Sequence, residues 1–149
     1  LIIKITILER ILFMDLNSEW LFIENFKLRW SDIDVYGHLT SSRYIDISIE
    51  SRSLYLNDEL LYFNKLQLIT KSLNLDFKKS IYYHDPIILK LKLLSISNAS
   101  FELLTAFYVN DFLHAEVITK LVVFDKEQNR IIKVPEMIKN KLQLKNSNL

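Results

Sequence analysis

Asp32, Asp34 and His38 crowd into one short segment, Trp30-Ser31-Asp32-Ile33-Asp34-Val35-Tyr36-Gly37-His38-Leu39. Two carboxylates and an imidazole are the groups that general acid–base and nucleophilic chemistry use. Gly37, set among them, is the only glycine in 149 residues, where an average chain of that length would hold about ten. Glycine there permits a backbone angle closed to other residues, or lets something approach the main chain closely. A carboxylate just ahead of a helix is held by backbone amides and the helix dipole, which makes Asp34 a candidate base or nucleophile. Aspartates before a helix also serve as plain turn and cap residues, and Asp32 reads as structural.

Composition removes several other chemistries. The chain has no cysteine, which excludes disulfides, thiolate nucleophiles and cysteine-based zinc sites. His38, His84 and His114 are far apart and form no His-Glu-x-x-His pattern, so no metal site is expected. His84 and His114 read as surface or turn residues. A net charge of +1 gives no basic field for nucleic acid. Half the residues are hydrophobic and a quarter charged, the balance of a single soluble domain able to bury a core.

The run Leu1 to Met14 is apolar but broken by Lys4, Glu9 and Arg10. It is too short for a membrane span, which needs about twenty apolar residues, and lacks the leader and cleavage site of a signal peptide. Residues 1–18 are therefore set aside as an N-terminal extension, with Met14 one candidate for the native start. The domain is expected over 19–144, with a polar tail at 145–149. A cysteine-free chain fits a reducing, cytoplasmic setting.

The elements that must position the segment follow from periodicity. Phe22, Ile23, Phe26, Leu28 and Trp30 predict a strand over Leu21–Trp30. Thr40 and Ser41 offer N-cap chemistry for a helix over Ser42–Asn57. On it Tyr44, Ile47, Ser48, Ser51, Leu54 and Tyr55 share one face, with Ile45, Ile49 and Leu56 on an adjoining stripe. Its small serines let a sheet come close. A loop through Leu60–Asn64 leads to alternation over Ile69–Tyr83, placing Ile69, Leu73, Leu75, Phe77, Ile81 and Tyr83 on one side. Strands over Ile87–Ser97, Phe101–Val109 and Ala115–Phe124 follow, the last two joined by a tight turn at Asn110-Asp111. Pro135 opens a final helix, Glu136–Leu144. One strand, one long helix and four strands make an α+β chain with an antiparallel sheet against a single helix.

Asp32-Ile33-Asp34-Val35-Tyr36-Gly37-His38-Leu39-Thr40-Ser41-Ser42-Arg43-Tyr44, followed by Glu50-Ser51-Arg52, resembles the hotdog-fold acyl-CoA thioesterases of the 4-hydroxybenzoyl-CoA thioesterase family. Phe77-Lys78-Lys79-Ser80, His84-Asp85 and Val134-Pro135 extend the likeness, which covers about Phe26 to Leu142. The segment is also similar to acyl-carrier-protein thioesterases, although Tyr36 stands where some of those enzymes have asparagine. Thr40 and Ser41 replace an asparagine pair that both groups carry, a departure that touches substrate preference.

The resemblance implies a hotdog fold, an antiparallel sheet wrapped around the central helix, in a homodimer or homotetramer with sites shared between subunits. It implies hydrolysis of an acyl-CoA to a carboxylic acid and coenzyme A, with no metal or redox cofactor. Asp34 is then the catalytic carboxylate, as nucleophile or general base, and the Ser41 amide the oxyanion donor, as unpaired first-turn amides suit that task. Gly37 lets the thioester carbonyl approach the backbone, and His38 orients Asp34 or meets substrate. Tyr36, Thr40 and Glu50 are candidate substrate contacts, Glu50 in the partner's site. Hydrolysis of acyl groups on acyl carrier protein, and acyl-CoA binding without hydrolysis, are the two rival activities. Lys78, Lys79, Lys90 and Lys92 read as solvated strand faces, with contact of a subset to the coenzyme A phosphates the lesser alternative, and Tyr62 and Phe63 as core or loop residues, with lining of an acyl pocket the lesser alternative.

Overall fold

The computed structural model describes residues 20–143, the side chains of Glu59 and Leu60 apart. Strand β1 (Phe22–Phe26) leads through a 3-10 turn (Trp30–Asp32) to helix α1 (Ser41–Leu56) and the short helix α2 (Asp58–Phe63). Strands β2 (Leu66–Phe77), β3 (Ile87–Ile96), β4 (Ser100–Val109), β5 (Phe112–Asp125) and β6 (Arg130–Ile132) follow, and helix α3 (Glu136–Gln143) ends the described chain. The sheet runs β1-β3-β4-β5-β2, every pair antiparallel. Beyond the end of β4, β6 takes over the same edge of β5, from Val123↔Ile132 to Asp125↔Arg130. This is the expected α+β hotdog order, with five strands rather than four after the helix. A three-residue strand is too short to show alternation.

Alternation builds the sheet's inner face. Phe101, Leu103, Phe107, Val117, Leu121 and Val123 are all at most 2% exposed. The β4–β5 hairpin turns at Asn110 and Asp111 with φ 48° and 66°, the paired left-handed residues of a two-residue hairpin. Asn57, with φ 58°, closes α1 in the same region. Asparagine and aspartate tolerate that conformation because their short side chains bond locally, so this chain turns without glycine almost everywhere.

The core divides along α1. Around its first half Leu28, Leu39, Tyr44, Ile47, Ile81 and Phe107 pack together. The Tyr44 ring meets Phe77 at 5.2 Å and Phe107 at 5.1 Å, aromatic pairs worth about 0.5–1.5 kcal/mol each beyond their burial. Around the second half Leu56, Leu61, Leu91, Phe101 and Leu121 join Ile138 and Leu142 of α3. The Tyr55 hydroxyl donates to the Lys141 carbonyl at 2.6 Å, tying α3 to α1.

Local differences from the periodicity have physical causes. Trp30 leaves β1 for the 3-10 turn and is exposed. The Leu60–Asn64 stretch holds the end of α2 instead of a loop. A bulge between Thr70 and Ser72 adds a residue to β2, and one extra residue reverses which face each side chain takes. Ile69 thus stands exposed rather than beside Leu73 and Leu75. The sheet covers only one flank of α1, so Leu54 is 68% exposed while Arg52 is buried. His114 is buried too, its Nδ1 3.0 Å from the Ser80 carbonyl, which corrects its reading as a surface residue. His84 lies exposed against the Tyr83 ring, as expected. Lys90 is half-buried over the Tyr108 ring at 4.6 Å rather than solvated. The expectations for residues 1–18, Met14 and the 145–149 tail lie outside the described residues. No helix among the described residues is long and apolar enough to cross a membrane.

Candidate active site

The segment between β1 and α1 folds into a small closed loop. An antiparallel bridge joins Ile33 to Leu39, the Asp34 amide donates to the His38 carbonyl at 2.8 Å, and the Gly37 amide to the Asp34 carbonyl at 3.1 Å. The Asp34 Oδ1 accepts the amides of Tyr36 at 2.8 Å and His38 at 3.1 Å. Both bonds use the same oxygen, which leaves Oδ2 without a partner among the described residues. The carboxylate is thus oriented by backbone, and His38 orients it through its amide rather than its ring. That ring stands edge-on to Tyr82 at 5.0 Å.

Gly37 has φ +81°, and a Cβ there would meet nothing within 4 Å. The conformation requires glycine, while the space beside it is open. Tyr36 is 79% exposed at the loop's tip.

Asp32 anchors the loop from beneath. It is 1% exposed and accepts the Arg29 amide at 2.8 Å, the Arg29 Nη2 at 3.1 Å and the Arg43 Nε at 2.7 Å. Burial pushes its carboxyl up, but the Arg29 amide and guanidinium and the Arg43 charge outweigh that and hold it below the usual carboxylate range. Thr40 donates its amide to the Asp32 carbonyl at 2.9 Å, and Leu39 to the Ile81 carbonyl at 2.8 Å. The loop is clamped between the start of α1 and the chain after β2.

Thr40 occupies the N-cap with extended backbone, but its side chain makes no capping bond. This corrects the expectation of N-cap chemistry from Thr40 and Ser41: the helix begins at Ser41, and its first-turn donors are not taken up by a threonine hydroxyl. Only the Arg43 amide is drawn back, to the Thr40 carbonyl at 2.9 Å. The Ser41 amide belongs to the orphan donors at a helix start, which suit a developing negative charge.

Glu50 does not join this group. It lies nine residues along the helix from Ser41, about 13 Å by the rise per residue. Its half-exposed carboxylate sits 3.6 Å from Arg43 Nη1. Tyr44, read from the sequence only as a motif and core residue, is the closer neighbour: burial, with the charges of Asp34 and Asp85, pushes its phenol up to about 12, although the Ile81 backbone pulls the other way. Tyr82 and Asp85 were not singled out for the site either. The Asp85 Oδ2 accepts the Tyr82 amide at 2.7 Å, shaping the turn that meets His38. Periodicity gives no signal for them, because they lie in the irregular stretch between β2 and β3. Lys78 pairs with Asp76. Among the described residues no three His, Cys, Asp or Glu side chains gather to hold a metal.

A large hollow lies elsewhere. About 730 Å³ in volume, it lies between α2 and the start of β2, lined by Leu61, Tyr62, Phe63, Leu66 and Leu68 with Asp58. Tyr62 and Phe63, expected as core or loop, stand 59% and 79% exposed there.

The thioesterase-like superfamily is matched over residues 28–142. No curated protein matches the chain in sequence. Among solved structures, a hypothetical protein from Aquifex aeolicus is 20% identical, with a TM-score of 0.77 over 82% of this chain and 99% of that one. A thioesterase from Thermus thermophilus, complexed with coenzyme A and Zn, is 16% identical with a TM-score of 0.73, over 84% and 93%. A DHNA-CoA thioesterase from Staphylococcus aureus is 17% identical with a TM-score of 0.69, over 74% and 78%. The match, which spans the Asp34 loop and strands β2 to β6, places the chain in the thioesterase-like superfamily, and so among the thioester hydrolases.

Proposed function

We propose that the protein hydrolyses an acyl-CoA thioester to a carboxylic acid and coenzyme A, with Asp34 as the catalytic carboxylate. The observation that carries this is the asymmetry of Asp34: two backbone amides hold Oδ1, and Oδ2 is unpartnered beside a helix start whose threonine leaves the first amides uncapped. Oδ2 either attacks the carbonyl carbon, breaking the C–S bond to leave an anhydride that water then opens, or takes a proton from the water that attacks. The Ser41 amide receives the developing oxyanion, and open space at Gly37 admits the carbonyl. The leaving thiolate takes up a proton as coenzyme A departs.

Coenzyme A as the carrier is supported by the fold neighbour solved with that molecule. A homodimer or homotetramer is supported by the open sheet edge of β2 and the exposed apolar residues Leu54, Ile69 and Phe77 beside it. In such an assembly we assign Glu50 and Tyr36 to contact with substrate. The cytoplasmic setting rests on the cysteine-free composition.

Thiol release from a panel of acyl-CoA and acyl-carrier-protein substrates tests the reading. Turnover of acyl-CoA, reduced 10²–10⁴-fold in a folded Asp34→Asn variant, is the expected result. Turnover of carrier-protein substrates alone would change the substrate class, and a silent, folded protein would leave a binding domain. Wild-type rates in Asp34→Asn would remove Asp34 from the chemistry.

A further inference from the structure

The Asp34 carboxylate is aimed by its neighbours' backbone. Its Oδ1 takes the amides of Tyr36 and His38, and its own amide donates to the His38 carbonyl at 2.8 Å. His38 thus holds residue 34 by side chain and main chain together. Whatever fixes the His38 backbone fixes the direction in which Oδ2 points. Asp32 does not do this. Its carboxylate bonds run to Arg29 and Arg43 and its carbonyl takes the Thr40 amide, so it grips the base of the loop.

His38 is gripped from the stretch between β2 and β3. An antiparallel bridge joins it to Tyr82, their rings meet edge-on at 5.0 Å, and Leu39 donates its amide to the Ile81 carbonyl at 2.8 Å. The root of that stretch is firm. The His114 carbonyl takes the Lys78 and Lys79 amides at 2.8 and 2.9 Å, its Nδ1 meets the Ser80 carbonyl, and Ile81 is fully buried. Beyond Ile81 the chain leaves the core, and Tyr82 is half exposed. There Asp85 takes over. Its Oδ2 accepts the Tyr82 amide at 2.7 Å, while its own amide donates to the Tyr82 carbonyl at 3.0 Å. The two bonds close residues 82–85 into a ring, and the carboxylate bond is of the stronger, charge-assisted kind. Pro86 follows, which biases Asp85 to extended backbone and limits how the turn can relax.

We propose that Asp85 is a positioning residue for hydrolysis: by closing the 82–85 turn it fixes Tyr82, Tyr82 fixes the His38 backbone, and His38 aims Asp34 at the thioester. This rests on the thioesterase reading and names a residue outside the Asp34 loop on which the rate depends. Asp85 acts through a run of backbone contacts. Its oxygen is needed as an acceptor, a task the asparagine carboxamide also performs. Displacing a reacting group by about 1 Å costs on the order of 100-fold in rate. The Tyr82 amide, freed at an exposed position, can turn to water, so the same loss costs the fold little.

Turnover of octanoyl-CoA tests the assignment. Asp85→Ala is expected to lower kcat about 10–100-fold with KM within about twofold, the mark of a lost transition-state alignment. Asp85→Asn should stay within about threefold of the wild type. In an Asp34→Asn background there is no carboxylate to aim, so adding Asp85→Ala should change the residual turnover by less than about threefold. An equal fall in both backgrounds, a wild-type kcat in Asp85→Ala, or an Asp85→Asn as slow as Asp85→Ala overturns the proposal. If the wild type releases no thiol from any acyl-CoA, the thioesterase reading fails separately, and the link is read by amide hydrogen exchange. Should Asp85→Ala not fold, Asp85→Ser, whose shorter side chain makes a poorer acceptor, is measured in its place. Exchange of the Tyr36 and His38 amides is expected to quicken by about tenfold or more, while the Leu103 amide in β4 keeps its protection. Unchanged exchange at those two amides, or equal quickening at Leu103, overturns the link.

Discussion

The two ends of α1 each bury an ionic side chain, and they treat it in opposite ways. At the first turn, Asp32 is met by Arg29 and Arg43 at 3.1 and 2.7 Å and by a backbone amide. At the last turns, Arg52 lies 3.9 Å from Asp58. Its Nε and Nη1, with Ser51 Oγ and Asp58 Oδ1, are buried without partners. Burial pulls the Arg52 guanidinium down, and the Asp58 charge offsets this only in part. A charge removed from water is held well only when its remaining lone pairs and protons are satisfied. The loop end is thus preorganised, the geometry that catalysis needs, whereas the hollow end is loosely held.

Substitution of Asp32 should break that contrast most sharply. Asp32→Asn is expected to destabilise by about 2–3 kcal/mol in denaturant titration, below the 3–5 typical of a broken buried pair because Arg43 keeps Asp46 and Glu50. Because the folded Asp32 carboxyl is depressed below 3.8, its contribution is complete above that value and is lost as pH falls through the lower folded one. The gap between wild type and Asp32→Asn should therefore be constant above about pH 5 and narrow below about pH 4. A gap that widens in acid would show that Asp32 is not held as an ion.

Gly37→Ala sharpens the same end by a smaller amount. With φ +81° and open space at the added Cβ, the cost is backbone strain of about 1–2 kcal/mol. Thermal melting should report it as a lowered Tm, with turnover falling as the loop relaxes. A loss of turnover with Tm unchanged would instead mean that the methyl obstructs the substrate.

Arg52→Met should have the smallest effect. Replacing a poorly partnered buried cation by an apolar side chain of similar length is expected to stay within about 1 kcal/mol of wild type, or to stabilise. Asp58 can turn to water, being 32% exposed. A urea midpoint that falls as far as in Asp32→Asn would erase the difference between the two ends.

The legibility of the sequence follows the same division. The Asp34 loop was visible because its chemistry is contiguous: carboxylate, glycine and helix start lie within a few residues. Periodicity likewise carried the order of strands and helix, because β3 alternates and β4 and β5 are long apolar runs joined at Asn110-Asp111. The hollow was not visible. α2 is six residues long and its aromatics stand exposed, so no periodic face announced it. Nor could the helix pattern say which flank the sheet would cover, and Leu54, expected on the covered face, stands exposed while Arg52 is buried. His114 looked like a surface residue because one histidine in a strand carries no sign of which side it faces; the answer came from the Ser80 carbonyl across the fold.

The order of the strands has a further consequence, in chain entropy. β3, β4, β5 and β6 follow one another by short turns, so their pairing closes small loops. β1 and β2, which bracket the Asp34 loop, instead pair with β3 and β5 far along the chain, Phe22 with Leu91 and Leu66 with Asp125. Closing longer loops costs more configurational freedom. The strands that set the catalytic loop in place are therefore the costliest to bring home, and the meander from β3 to β6 is the template on which they land.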